Sequence, residues 1–182
     1  MDRREQSRTS PGSVQGSLRE AAVLIPIVEG PGKRRLLFTR RADSLEEHPG
    51  QMCFPGGARE PDDVDLSETA LREANEEISL RREEVDLVGS LPVIRTVTAY
   101  QVTPFVAHVP DRKYRVQESE VAELVALPID QFTDHHRYRR EPHPERPDNW
   151  VDYFQVGGYL VWGATGRIVV LLLEHTEGWS RP

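Results

Sequence analysis

Three glutamates, Glu73, Glu76 and Glu77, stand at i, i+3 and i+4 in a stretch whose apolar residues follow a helical period, which sets three carboxylates on one helix face. Like charges at that spacing cost about 0.2–0.5 kcal/mol per pair, and Arg72, four residues before Glu76, offsets part of that. Such a face is either an ordinary solvated one or a place where something positive belongs. Just upstream lies Phe54-Pro-Gly-Gly57, whose glycines let backbone approach a ligand closely. Oxygen-only ligands, completed by water and a phosphate, describe a Mg²⁺ site. Other chemistries lack their parts. Cys53 has no identifiable histidine partner for nucleophilic work, and the chain has neither a Gly-x-Ser-x-Gly elbow nor a phosphate-binding P-loop.

The elements that must hold these residues can be read from patterning. Residues 65–79 form the helix, with Asp65 and Glu68 fitting a capping box and Ala70, Leu71, Ala74 and Ile78 on the inner face. Residues 21–28 and 35–39 read as two strands joined by a turn at Gly30-Pro-Gly32, with Pro26 pointing to an edge or a bulge. Strand-like pieces follow at 86–88, 91–95, 102–108, 124–126, 151–156 and 159–162, then a closing helix at 165–174. Residues 134–149, dense in His, Arg and Pro, read as a long solvated surface loop. Strands and helices mix without βαβ regularity, which implies α/β or α+β with a mixed sheet.

The 182 residues suit one domain, 19–182, preceded by a disordered basic tail, 1–18. With 37% of residues in the apolar set and 29% charged, there is enough for a core and no run that could span a membrane. A lone cysteine and no secretory signal point to a cytoplasmic location. Residues 1–41 hold nine Lys or Arg and four acids, a balance of +5, while residues 42–182 hold fourteen and twenty-six, a balance of −12. An acidic body does not attract polyanions unaided, so a nucleic-acid surface is excluded and a phosphate substrate needs divalent cations to bridge like charges.

The helix and its approach resemble the Nudix hydrolase family, whose box runs Gly, five residues, Glu, seven residues, then Arg-Glu-apolar-x-Glu-Glu-x-Gly-apolar. Here Gly57 and residues 72–80, Arg-Glu-Ala-Asn-Glu-Glu-Ile-Ser-Leu, supply its two ends. Asp63 stands in place of the first Glu, with one extra residue before Arg72, and Ser79 replaces the last Gly. That extra residue, the acid pair Glu60 and Asp63, and the segments Leu36-Leu37, Thr39-Arg40-Arg41-Ala42 and Phe54-Pro-Gly-Gly57 resemble the coenzyme A pyrophosphatase branch. Glu46 stands where that branch would have a basic residue. Tyr100-Gln-Val-Thr-Pro104, with Ala99 for a Gly, and Trp162-Gly-Ala-Thr165 carry the likeness further along the chain.

The resemblance implies an αβα sandwich with a mixed sheet and metal-dependent hydrolysis, by Mg²⁺ or Mn²⁺, of a nucleoside diphosphate linked to another group. In the coenzyme A branch the substrate is coenzyme A or its acyl derivatives. It implies Glu73, Glu76, Glu77 and the Gly57 carbonyl as metal ligands, with Arg72 orienting the glutamates. The general base is Glu73, Glu118 or Glu120. Arg40, Arg41, Arg95 and His48 are the candidate substrate contacts. A small nucleotide-like molecule is the expected partner, with neither membrane nor nucleic acid, and a homodimer is left open. ADP-ribose or dinucleotide hydrolysis is the second reading, and a silent binding scaffold the third.

Overall fold

The computed structural model describes residues 18–30, 32–143 and 146–182; the basic tail expected at 1–18 thus lies, Leu18 apart, outside the described residues. In chain order the elements are β1 (Arg19–Gly30), β2 (Lys33–Arg41), β3 (Met52–Cys53), β4 (Gly56–Ala58), α1 (Leu66–Ile78), β5 (Asp86–Ser90), β6 (Ile94–Arg95), β7 (Tyr100–Val109), β8 (Val121–Pro128), α2 (Ile129–Phe132), β9 (Tyr138–His143), β10 (Arg146–Val156), β11 (Tyr159–Trp162) and α3 (Gly163–Thr176). The main sheet runs β3-β2-β1-β7-β5, with β4 also on β1, β6 on β7 and β8 on β2. β1 and β7 are parallel and the other pairs antiparallel, so the sheet is mixed.

Two apolar layers follow from strand alternation. On one face Ala22, Leu24, Val28, Leu37 and Ala107 meet Ala70, Ala74 and Ile78 of α1. On the other, Ile25, Ile27, Leu36 and Phe38 meet α3, whose residues 168–173 are all buried, together with Phe154, Val156 and Val161 of the second sheet, β11-β10-β9. This is the expected αβα sandwich. Among the described residues no helix is long and apolar enough to cross a membrane.

Three expectations about strands and loops need correcting. Pro26 is not at an edge: β1 is flanked on both sides, and Pro26 sits where its partner changes from β4, paired at residues 21–23, to β2, paired at 27–30. The Leu24 N–H bonds Pro55 O on that side, so two residues on the missing Pro26 donor faces the handover, where it is not needed. The described residues of the stretch 134–149 are not a loop. They form a 3₁₀ turn at His135–Arg137, β9 and the start of β10. Rings and charges hold this hairpin in place of apolar alternation: Arg139 lies 4.5 Å over Tyr153, Tyr138 bonds buried Asp152 at 2.6 Å, and Trp179 packs on Tyr138 and Phe154. Pro142 is tolerated because β9 is an edge strand. The strand expected at 91–95 is reduced to Ile94–Arg95.

Both departures from family glycines fall at left-handed backbone. Ser79 caps α1 at φ 52°, its N–H bonding back to Ala74 O and Asn75 O, and Ala99 turns into β7 at φ 64°. Asp65 caps the other end by accepting from the N–H groups of Ser67 and Glu68. Glu68 does not complete a capping box; its carboxylate pairs with Arg82.

Candidate active site

Arg72, on the second turn of α1, is the hub of the site. Its Nε donates to Asp63 Oδ1 at 3.0 Å and its Nη2 to Asp63 Oδ2 at 3.3 Å and to Ala58 O at 3.1 Å, while Nη1 lies 3.0 Å from both Glu73 Oε1 and Glu76 Oε2. Asp63 is itself set by the Glu60 N–H at 2.9 Å and the buried Thr69 hydroxyl at 2.8 Å. The guanidinium, with these donors, holds the Asp63 carboxyl at about 2, below the ordinary 3.8. The same pairing pushes Arg72 further up. A shorter acid with one extra residue of loop thus reaches the arginine, which accounts for the altered spacing of the motif.

The three glutamates do not share one exposed face. Glu76 is on the solvent side with its side chain 55% exposed, Glu73 is 15% exposed, and Glu77 turns into the sheet at 6%. Beneath Glu77 lies buried Thr39, its hydroxyl 3.5 Å from Oε2, and the Gly56 N–H also reaches the carboxylate. Burial, then repulsion from Glu73 and Glu120, push Glu77 up to about 8, against the opposing pull of the Gly56 N–H and of Arg41. Burial raises Glu73 as well, opposed by Arg72 and reinforced by Glu76 and Glu120. Gly57 presses on Glu73 so closely that a Cβ would lie 2.4 Å from Oε1.

Among the described residues no three of His, Cys, Asp and Glu close around one point. The reason is visible: Arg72 draws Glu73 and Glu76 to itself while Glu77 faces inward. The donor chemistry nevertheless suits a hard divalent cation. The donors are all oxygen, and the two inner carboxylates are both disfavoured as anions by burial and by neighbouring carboxylates, a penalty that a cation would relieve.

The expected substrate contacts separate. Arg41 has its Nε on Glu47 O at 3.2 Å, and Glu77 feels its charge. Arg40 is committed to Asp43 at 2.9 Å and Glu123 at 3.6 Å. Arg95 is exposed and forms no ion pair among the described residues; register places it beside Gln101 and in line with Glu20, which pairs with Arg59. His48 is exposed in the turn before β3, its carbonyl accepting from Gln51 N–H, and neither it nor Arg95 bonds the carboxylates. Glu118 and Glu120 lie exposed on the segment before β8, and only Glu120 acts on Glu73 and Glu77. Burial pushes the Cys53 thiol up to about 11, against the opposing pull of Thr39 and Arg41, which disfavours the thiolate that a nucleophile would need.

Sequence reasoning missed Thr39 as the floor under Glu77. Its signal was present: Thr39 is in step with inward Leu37, an odd place for a hydroxyl unless a polar group sits above it.

Comparison with known proteins identifies the family. Residues 18–154 match the NUDIX domain family. The chain is 42% identical over 159 residues to the uncharacterized Nudix hydrolase NudL of Enterobacter sp. (strain 638), covering 83% of this chain and 79% of the relative. A solved structure from Deinococcus radiodurans superposes with a TM-score of 0.59 at 14% identity, covering 89% of this chain and 86% of that one. The M. smegmatis Nudix hydrolase RenU gives 0.54 at 23% identity, covering 64% and 74%. These two share the fold alone. With the family model matched over residues 18–154 and a Nudix relative at 42% identity, the chain belongs to the Nudix family and is a hydrolase of pyrophosphate bonds.

Proposed function

We propose that the enzyme cleaves the diphosphate of coenzyme A or its acyl derivatives to adenosine 3′,5′-bisphosphate and (acyl-)4′-phosphopantetheine. The observation that carries this reading is the clamp of Asp63, with Glu60 three residues before it, on Arg72, because the extra residue and the acid pair resemble the coenzyme A pyrophosphatase branch. Arg41 and Arg95 retain guanidinium groups for phosphate, whereas Arg40 does not without giving up two carboxylates.

Glu73, Glu77 and the Gly57 carbonyl would hold Mg²⁺ or Mn²⁺, with Glu76 at the solvent side. When bound, the cation neutralises the diphosphate and acidifies water. Arg72 orients Glu73 and Glu76 and holds the helix to the loop at Asp63. Glu120, exposed and beside the two inner carboxylates, is our choice as the group that takes the proton from the attacking water. The acyl end of the substrate is far from the bond that breaks, so it need not be recognised.

Chromatography of products from coenzyme A, ADP-ribose and a dinucleotide, each with Mg²⁺ or Mn²⁺ and with excess chelator, tests the proposal. Phosphopantetheine release that stops in chelator supports it. Faster turnover of ADP-ribose with no phosphopantetheine would move the substrate to that class, and full activity in chelator would remove the metal.

A further inference from the structure

Residues 110–120 join β7 to β8 without regular structure, yet they are pinned along their length. Arg112 grips Glu84 with two bonds, Nε to Oε1 at 2.8 Å and Nη2 to Oε2 at 2.7 Å. It also donates to Ser79 O at 3.0 Å and Lys113 O at 2.9 Å, with its guanidinium 4.2 Å over the Tyr114 ring. Tyr114 in turn donates to Pro110 O. Ser79 is the C-cap of α1, so this single side chain ties the start of the segment to the end of the helix that bears the carboxylates. Further along, the Gln117 N–H bonds Glu77 O at 2.9 Å, Gln117 O accepts from Glu120 N–H at 2.9 Å and Val121 N–H at 2.8 Å, and Ala42 N–H bonds Glu120 O at 2.9 Å.

We propose that Arg112 is a positioning residue for hydrolysis: it seats the 110–120 segment on the end of α1 and thereby holds Glu120 over the inner carboxylates. This rests on the reading of Glu120 as the proton acceptor. The reasoning is geometric. A carboxylate on an irregular eleven-residue segment acts well only if the segment is held to within about 0.5 Å of its productive place, and misplacement by about 1 Å can cost roughly a hundredfold in rate. The apolar anchors of the segment, Tyr114 and Val116, are only partly buried, so the charged clamp supplies what packing does not. Arg112 touches none of Glu73, Glu76, Glu77 or Glu120, and it meets α1 only at the Ser79 carbonyl, past the last of these carboxylates. Its loss should therefore leave cation binding alone.

The test is steady-state hydrolysis, on whichever diphosphate of the panel turns over fastest, by Arg112→Ala, Arg112→Lys, Glu84→Gln, Glu120→Gln and the double variant R112A/E120Q, with Mn²⁺ affinity measured by calorimetry. Arg112→Ala should lower kcat about ten- to a hundredfold, with KM and Mn²⁺ affinity little changed. Arg112→Lys, which keeps one bond to Glu84, should recover part of the loss. In the Glu120→Gln background, Arg112→Ala should cost nothing further, because the group it positions is already gone. An unchanged kcat in Arg112→Ala, or the same loss with and without Glu120, would overturn the proposal. Wild-type turnover in Glu120→Gln would instead overturn the reading of Glu120 itself. Should Arg112→Ala fail to fold by circular dichroism, Glu84→Gln carries the same comparisons at the other end of the clamp.

Discussion

Replacing Glu77 with glutamine probes the electrostatics of the site while leaving the helix intact. Glu77 is 6% exposed, and burial with the neighbouring Glu73 raises its carboxyl to about 8 from the ordinary 4.5. At pH 7 the folded, cation-free protein therefore keeps this group protonated while the unfolded chain ionises it. The gap of about 2.5 pH units, at about 1.4 kcal/mol each, costs the fold about 3 kcal/mol. The sign is fixed by linkage: with the folded value above the unfolded one, the contribution is whole below about pH 4.5 and drains away as pH rises through about 8. Glutamine does not titrate. In excess chelator, Glu77→Gln should thus outlast the wild type by about 1 kcal/mol or less at pH 5, about 3 at pH 7 and about 4 at pH 8. For a domain of this size about 3 kcal/mol corresponds to roughly 6–12 °C in melting temperature. Thermal denaturation followed by circular dichroism at the three pH values is the assay. Added Mn²⁺ should raise the wild-type melting temperature at pH 8 and leave the variant where it was. A stability difference that is flat with pH, or a variant less stable than the wild type at pH 8, would refute the buried, reluctant carboxylate on which the site is argued.

Gly57→Ala should fold in a chelator melt, since what stands in its way is the far end of the Glu73 side chain rather than backbone, but displacing that carboxylate from Arg72 should cut turnover by at least tenfold in the product assay. Ser79→Gly and Ala99→Gly should each add about 0.5–1 kcal/mol in urea denaturation with turnover unchanged, because both residues hold left-handed backbone that glycine adopts without a Cβ penalty.

The parts of the molecule visible in the sequence are those where local pattern and tertiary packing agree. The α1 span was legible because its inner face is apolar at helical spacing and Asp65 caps it. Strands 21–28 and 35–39 were legible as apolar runs around a turn. The β9–β10 hairpin was not, because its partners are the 4.5 Å Arg139–Tyr153 stack and the buried Tyr138–Asp152 bond, pairings that exist only after folding and that leave polar letters on both faces. The site followed the same rule. Arg72 with Glu76 could be read from i,i+4 spacing. The inward turn of Glu77 could not, since it is set by Thr39 and Gly56 on other elements. A helix-surface estimate of a few tenths of a kcal/mol per like-charge pair leaves out the burial that chiefly raises Glu77.

The placement of Arg72 separates two processes that many metalloproteins couple. In a structural zinc site the ligands repel or remain unsatisfied until the metal arrives, and uptake of the metal is itself the folding step. Here one guanidinium reaches Asp63, Glu73 and Glu76 at once, so part of the charge of the acidic cluster is offset by a group the chain carries with it, and the cluster is held in place without a cation. A cation bound at the inner carboxylates would then add to stability without being required for folding, so its affinity could be tuned to the needs of hydrolysis.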